Sequence, residues 1–324
     1  MPNTSSPKWN DEQWLVRNIP TSAKLFVTIY DKDDVKITDD YVGIFEIENI
    51  VNYQTPEDGH NIIGPLNKYR GRFHLFIEAI KSSIENQQLP AYTYDGPCRY
   101  SRHDDFFLGH LTMLNSNYVY STWKIQLRRI AYFFGYHERH HWNLQSRNAK
   151  IVFGDGSLSL ATQASLKLAH RTLYRRTLKN TENGRLTNSD DLWKSVFINK
   201  TTERIKPCVY TYIIDDCTWR FSETGHKIFA DFASKHVLLA NAAEYVRYAG
   251  EFHPRPKFGW DRCDDEWELV FDNASGTYTP RADLFTNLKE LLLFNFPGLN
   301  VVTYDFRDPL LKESIEQLKL AAEK

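Results

Sequence analysis

The sequence predicts an α+β protein, and three observations carry that reading. Residues 25–30 and 42–47 alternate apolar and polar positions around β-branched residues, as half-buried strands do. Residues 158–178 place Leu160, Ala164 and Leu168 at four-residue spacing ahead of Arg171, Arg175 and Lys179, an amphipathic helix pattern whose basic end suits the helix dipole. Beyond residue 200, strand-like and helix-like segments alternate, which predicts an α/β region.

Taken in order, residues 7–83 read as an antiparallel β unit. Its closing strand is predicted over 71–80, and the Pro-, Gly-, Asp- and Asn-rich stretch 52–64 is a loop. Residues 82–90 form a polar linker. In the middle region, 92–102 is irregular, 123–134 mixes apolar and basic residues, 158–178 is the helix, and 180–189 is a turn-rich connector. The last region begins with a strand at 208–215 and a helix at 226–240, with Ile228, Phe229, Phe232, Ala233 and Val237 on one face. Strands follow at 244–253 and 267–272. Thr279 and Pro280 read as the N-cap and first residue of a helix running to about 295, which Pro297 and Gly298 stop. A strand at 299–304 and a helix capped by Asp308 and Pro309 complete the chain. The expected organisation is 1–84, 85–200 and 201–324.

Composition narrows the function classes. In 324 residues, 40 Lys and Arg against 41 Asp and Glu leave no excess of positive charge for nucleic acid. Cys98, Cys208, Cys217 and Cys263 form no CxxC pair, which predicts reduced thiols in a cytoplasmic setting rather than a disulfide frame. No signal-peptide pattern follows Met1, and the longest apolar runs are far short of the roughly 20 residues that span a bilayer.

The N-terminal stretch carries the most readable chemistry. Pro7-Lys8-Trp9-Asn10 leads into a β run ending in Asp31 and Asp33, followed by Asp39-Asp40-Tyr41-Val42-Gly43. This arrangement resembles the second half of a C2 domain, the β-sandwich that binds calcium and anionic phospholipid. The resemblance implies that Asp31, Asp33 and Asp40 are calcium ligands; Asp39 competes for the last place, and Asp40 fits better counted back from Gly43. Calcium takes six to eight oxygens, so about three carboxylates imply weak binding. The first half of such a domain, with its own aspartates, does not precede these residues. Other segments resemble fungal C2-domain-containing proteins of unknown function: residues 95–103, 120–128, 231–236 and 272–280. Residues 210–304 are similar to the end region of plant calmodulin-binding proteins with an IQ motif, through Ala249-Gly250-Glu251 and Ser275-Gly276-Thr277-Tyr278-Thr279-Pro280. Ile125-Gln126 is not followed by the Arg-Gly of an intact motif, so calmodulin is a partner without motif support.

Three further patterns hold candidate chemistry. His137-Glu138-Arg139-His140-His141 matches the H-E-x-x-H of zinc proteases, which requires a helix to put both histidines on one face. Gly135 just before it, charged intervening residues and no evident third ligand weigh against that use. His236, Glu251, Asp272, Asn273 and Tyr278 are the candidate catalytic residues of residues 200–304: an imidazole and carboxyls for proton transfer, beside a turn. If structural, each has its own local partner. The basic end of the 158–178 helix offers cations to lipid headgroups or to solvent. The leading expectation is a cytoplasmic, membrane-associated protein binding anionic phospholipid, with weak calcium. The alternatives are an enzyme with its site in 200–304 and a purely structural interaction module.

Overall fold

The computed structural model describes residues 4–8, 14–31, 40–105, 120–174, 181–199, 203–223, 234–262 and 266–322. Strands β1 (Leu25–Asp31), β2 (Asp40–Ile47), β3 (His60–Ile63) and β4 (Tyr69–Phe73) form a four-stranded antiparallel sheet in sequential order. The alternation predicted from sequence sends Val27, Ile29, Phe45, Ile47 and Ile62 to one face, where Ile50, Tyr53, Leu75 and Ile77 close over them. The opposite face leaves Phe26, Tyr30, Ile44 and Tyr69 exposed.

The second sheet holds eight strands. In chain order they are β5 (Cys98–Asp105), β6 (Tyr120–Gln126), β7 (Thr181–Leu186), β8 (Tyr210–Ile214), β9 (Thr218–Glu223), β10 (Tyr248–Pro256), β11 (Trp267–Asp272) and β12 (Val301–Tyr304). Their spatial order is β7-β5-β6-β9-β8-β10-β11-β12, antiparallel throughout except for the parallel β11–β12 pair. The protein is therefore α+β. Strands from both sides of residue 200 share this sheet, so the middle and C-terminal regions expected to be separate share one core.

Among the described residues, the helices that cover it include α1 (Ile130–Phe134), α2 (Arg147–Phe153), α3 (Ser157–Leu173), α4 (Lys235–Leu239), α5 (Phe285–Asn295) and α6 (Pro309–Ala322), with the helical stretch 189–197 adding Leu192, Val196 and Phe197 to the core. One sheet face is aromatic. Trp123, Tyr210, Tyr212, Trp219, Phe221, Phe252 and Phe271 pack there with Leu288, Leu291 and Leu292 of α5 and Phe134 of α1. On the other face, α2, α3 and α4 cover Ile213 and Ala249 through Ala149, Val152, Leu166, Leu173 and Val237. α6 joins β10 where His253 Nε2 meets Ser314 Oγ at 2.8 Å.

Several local predictions are revised. The turn-rich connector expected at 180–189 is strand β7, the irregular stretch 92–102 runs into β5, and the loop expected at 52–64 ends in β3. The α5 helix begins at Phe285, after a turn of 3-10 helix at 282–284, rather than at Pro280. The H-E-x-x-H stretch is not helical: His140–His141 is a short strand paired with Tyr245–Val246, so its two outer histidines do not share a helix face. The predicted apolar stripe of α3 points outward. Leu160 and Leu168 are 69% and 63% exposed, while Ser159, Thr162, Leu166 and Leu173 face inward.

Candidate functional sites

Two places gather functional side chains. The first is one end of the four-stranded sheet. Asp31 and Asp40 close the β1–β2 ladder as directly paired residues, and the rings of Tyr30 and Tyr41 sit edge to face beside them at 5.7 Å. Asp33 and Asp39 lie outside the described residues. Among the described residues, no group of three or more His, Cys, Asp or Glu is arranged to hold a metal ion. Antiparallel pairing of Ile44 with Ile63 brings the β3–β4 turn to this same end, and Gly64 packs against the carbonyl of Val42.

That turn is unusual. Leu66 and Asn67 both adopt the left-handed conformation, with φ of 58° and 56°, and Lys68 N–H donates to Pro65 O at 3.3 Å. Such two-residue hairpin turns select Asn, Asp or Gly, because a Cβ is crowded there. Leu66 occupies the first place nonetheless and is 89% exposed, with Tyr69 58% exposed beside it and the exposed cations Lys68 and Arg70 alongside. An exposed leucine in a strained position is neither a packing nor a turn-forming choice.

The second place is the helix-covered face of the large sheet. Residues directly opposed in antiparallel ladders share a face. The registers Thr181↔His103, His103↔Thr122, Thr122↔Ser222, Ser222↔Thr211 and Thr211↔Glu251 therefore make one continuous row across six strands. Every member is polar, although sheet faces covered by helices are ordinarily apolar. Thr122 and Ser222 are fully buried, and among the described residues their hydroxyls have no hydrogen-bond partner, at a cost of about 1–3 kcal/mol each where none is met.

The row ends in a cluster of ionisable groups. Glu251 N–H donates to Asp272 Oδ1 at 2.7 Å, and Ala274 N–H donates to the same oxygen at 2.9 Å. Lys235, the first residue of α4, donates from Nζ to the carbonyl of Glu223 at 2.6 Å. Burial pushes Glu251 up to about 8, helped by Asp272 and opposed by Lys235. Burial draws Lys235 down to about 8 against Cys208, Glu251 and Glu223. Asp272 rises to about 6 through burial, against the two backbone N–H groups it accepts. Near neutral pH Glu251 keeps its proton more readily than an exposed carboxyl, and Lys235 releases its own more readily than an exposed amine.

Of the residues singled out from sequence, the structure brings Glu251 and Asp272 together and takes the others to separate partners. His236 Nε2 donates to Gly250 O at 3.0 Å, and burial holds its imidazole down to about 4. Tyr278 OH donates to Ala243 O at 2.6 Å. Asn273 donates to Pro280 O and accepts from Phe306 N–H at 2.8 Å, tying the turn after β11 to the start of α6. Sequence reasoning missed Lys235, Thr122 and Ser222, because strand pairs 11 to 100 residues apart create the row and no local pattern announces it. The Leu66-Asn67 tip had a readable signal in its Asn between two strand patterns.

No family model matches this chain, and neither a curated protein nor a solved structure matches it.

Proposed function

We propose that this protein docks peripherally on anionic membranes through the Asp31/Asp40 end of its four-stranded sheet. The observation that carries the reading is the Leu66 tip. A large apolar side chain stands almost wholly in water, in a backbone conformation that disfavours it, beside Tyr69, Lys68 and Arg70. Buried among acyl chains, Leu66 contributes apolar transfer energy, while the two cations meet phosphate and carboxylate headgroups. Tyr69 suits the interface, where its ring is buried and its hydroxyl wet. Asp31 and Asp40 sit at the same end and would be repelled by anionic lipid. Calcium held weakly by these carboxylates would turn that repulsion into attraction, which supports a calcium-responsive form of the same docking. Among the described residues no helix is long and apolar enough to cross a membrane.

Co-sedimentation with phosphatidylserine-containing and purely phosphatidylcholine vesicles tests this, with calcium and with chelator. Binding should favour the anionic vesicles and fall as salt is raised. The decisive variant is Leu66→Asn. Asn suits the left-handed turn, so the thermal midpoint should hold or rise, while vesicle partitioning should drop roughly tenfold, the value of losing about 1.4 kcal/mol of apolar burial. Equal partitioning of Leu66→Asn and wild type, or equal binding to both vesicle types, would overturn the proposal. Asp31→Asn should abolish only the calcium-dependent part.

A further inference from the structure

The outward side of α3 is apolar, where the solvent side of a surface helix is ordinarily polar. Leu160 and Leu168 stand 69% and 63% exposed, with the exposed Ala164 midway between them. The three lie along one ridge of the helix at four-residue spacing, over about 12 Å. Their order is the same read from either end: leucine, alanine, leucine at equal steps. α3 carries Lys167 and Arg171 and no carboxylate, while the exposed Asp155 stands just ahead of its first turn. Among the described residues neither Asp155 nor Arg171 has an ion-pair partner in its own chain.

We propose that α3 is a self-association face, on which a second copy of this chain lays its own α3 antiparallel about a two-fold axis at Ala164. A two-fold contact demands reciprocity: where residue i meets j of the other copy, j meets i. With Ala164 on the axis, each Leu160 falls beside the second copy's Leu168, and the pattern satisfies that demand without a mismatch. The small Ala164 side chain lets the two backbones approach where they cross, since the side chains at the contact set the distance between helix axes. Arg171 lies seven residues from the axis on one side and Asp155 nine on the other. Each Arg171 therefore comes within about two residues' rise, roughly 3 Å along the helix, of the second copy's Asp155, well within the reach of its side chain. Lys167 falls across Ala161 rather than across its own copy, so the cations of the two helices do not face each other. An unrelated acidic partner would also meet Lys167 and Arg171, but it would leave the symmetric placing of the leucines and the role of Asp155 without a use. The contact is smaller than the standard interface of about 800 Å² per partner, so the association is weak and concentration-dependent.

Sedimentation velocity of the intact protein from about 1 to 100 μM tests the face. Wild type should move from monomer toward dimer across that range. Leu160→Glu combined with Leu168→Glu should stay monomeric at its upper end with an unchanged thermal midpoint, because both side chains are exposed. Asp155→Arg and Arg171→Asp should each weaken association about fivefold, and the two together should restore it. Under mild oxidation, and above the background of wild type, Ala164→Cys should form an intermolecular disulfide at least about tenfold faster than Ser165→Cys, since only a residue on the axis meets its own copy. A wild type that stays monomeric throughout the range would overturn the proposal. So would a dimer that survives the two glutamates, a charge swap that fails to restore association, or Ala164→Cys linking no faster than Ser165→Cys. If the leucines serve a membrane instead, wild type will be monomeric and the two glutamates will reduce its partitioning to phosphatidylserine vesicles, which overturns the proposal as well.

Discussion

Four hydrogen bonds leave the guanidinium of Arg247, which is 1% exposed. Its Nε donates to Asp216 Oδ1 at 2.6 Å, Nη1 to the carbonyls of Gly135 and Glu138 at 2.6 and 2.7 Å, and Nη2 to Tyr136 O at 3.2 Å. The stretch between α1 and the short His140–His141 strand has its carbonyls satisfied by this one side chain. Lysine could keep the charge opposite Asp216 but has no planar fork for three carbonyls. Arg247→Lys should therefore cost about 2–4 kcal/mol, close to the loss on breaking a buried pair, read from urea unfolding midpoints. The His137–His141 histidines were conspicuous in the sequence, while Arg247 was not. A lone arginine in a strand-like stretch gives no local sign of burial, because its partners arrive from more than a hundred residues away.

At the scale of elements, the sequence was most legible where one periodicity ruled. The strands predicted at 25–30, 42–47 and 267–272 are β1, β2 and β11, and the long helix predicted from 158 is α3, whose described part ends at Leu173. The same helix shows where periodicity misleads. Its leucine stripe gave the right element and the wrong face, since the inner side packs closely on α2 with small residues such as Ser159, Thr162 and Ala169. Close approach favours small side chains, and a hydrophobicity pattern reads them as polar. The candidate sites were legible in the same partial way. Glu251 and Asp272 lie next to the Phe252↔Phe271 pair of two adjacent strands, so their meeting followed from that pairing, whereas Lys235 belongs to no ladder.

For the whole molecule, buried titratable groups set how stability varies with pH. Burial holds His170, His236 and His253 down to about 4, 4 and 3, with His140 lowered as well. The unfolded chain protonates them below about pH 6.5 and the folded protein does not, so their contribution is full above that pH and is lost as pH falls. Glu251 and Asp272 act in the opposite sense. Raised to about 8 and 6, they keep protons the unfolded chain has released, a contribution lost as pH rises through those values. Near pH 5 the imidazoles outnumber the carboxyls, and stability should climb with pH by about 1–3 kcal/mol per unit. Between pH 7 and 8 Lys235, drawn down to about 8, loses its proton in the folded protein before the unfolded chain does and offsets Glu251, so stability should level off. Urea midpoints from pH 4 to 8 should rise to about pH 7 and then level, and Glu251→Gln should let the rise continue toward pH 8.

The position of β8 and β9 has a consequence for the order of assembly. They occupy the centre of the eight-stranded sheet and are joined by only three residues, where Asp215 accepts from the N–H groups of Cys217 and Thr218 at 2.9 and 2.6 Å. Closing that hairpin costs little chain entropy, whereas the pairings β6–β9 and β7–β5 each enclose tens of residues. The earliest structure to form is thus the middle of the finished sheet, and the rims are laid down last. Refolding kinetics should reflect it: Asp215→Ala should slow folding nearly in proportion to its loss of stability, while Leu186→Ala at the β7 rim should chiefly quicken unfolding. Folding chains would then hold the polar row incomplete until β5, β6 and β7 dock on β9.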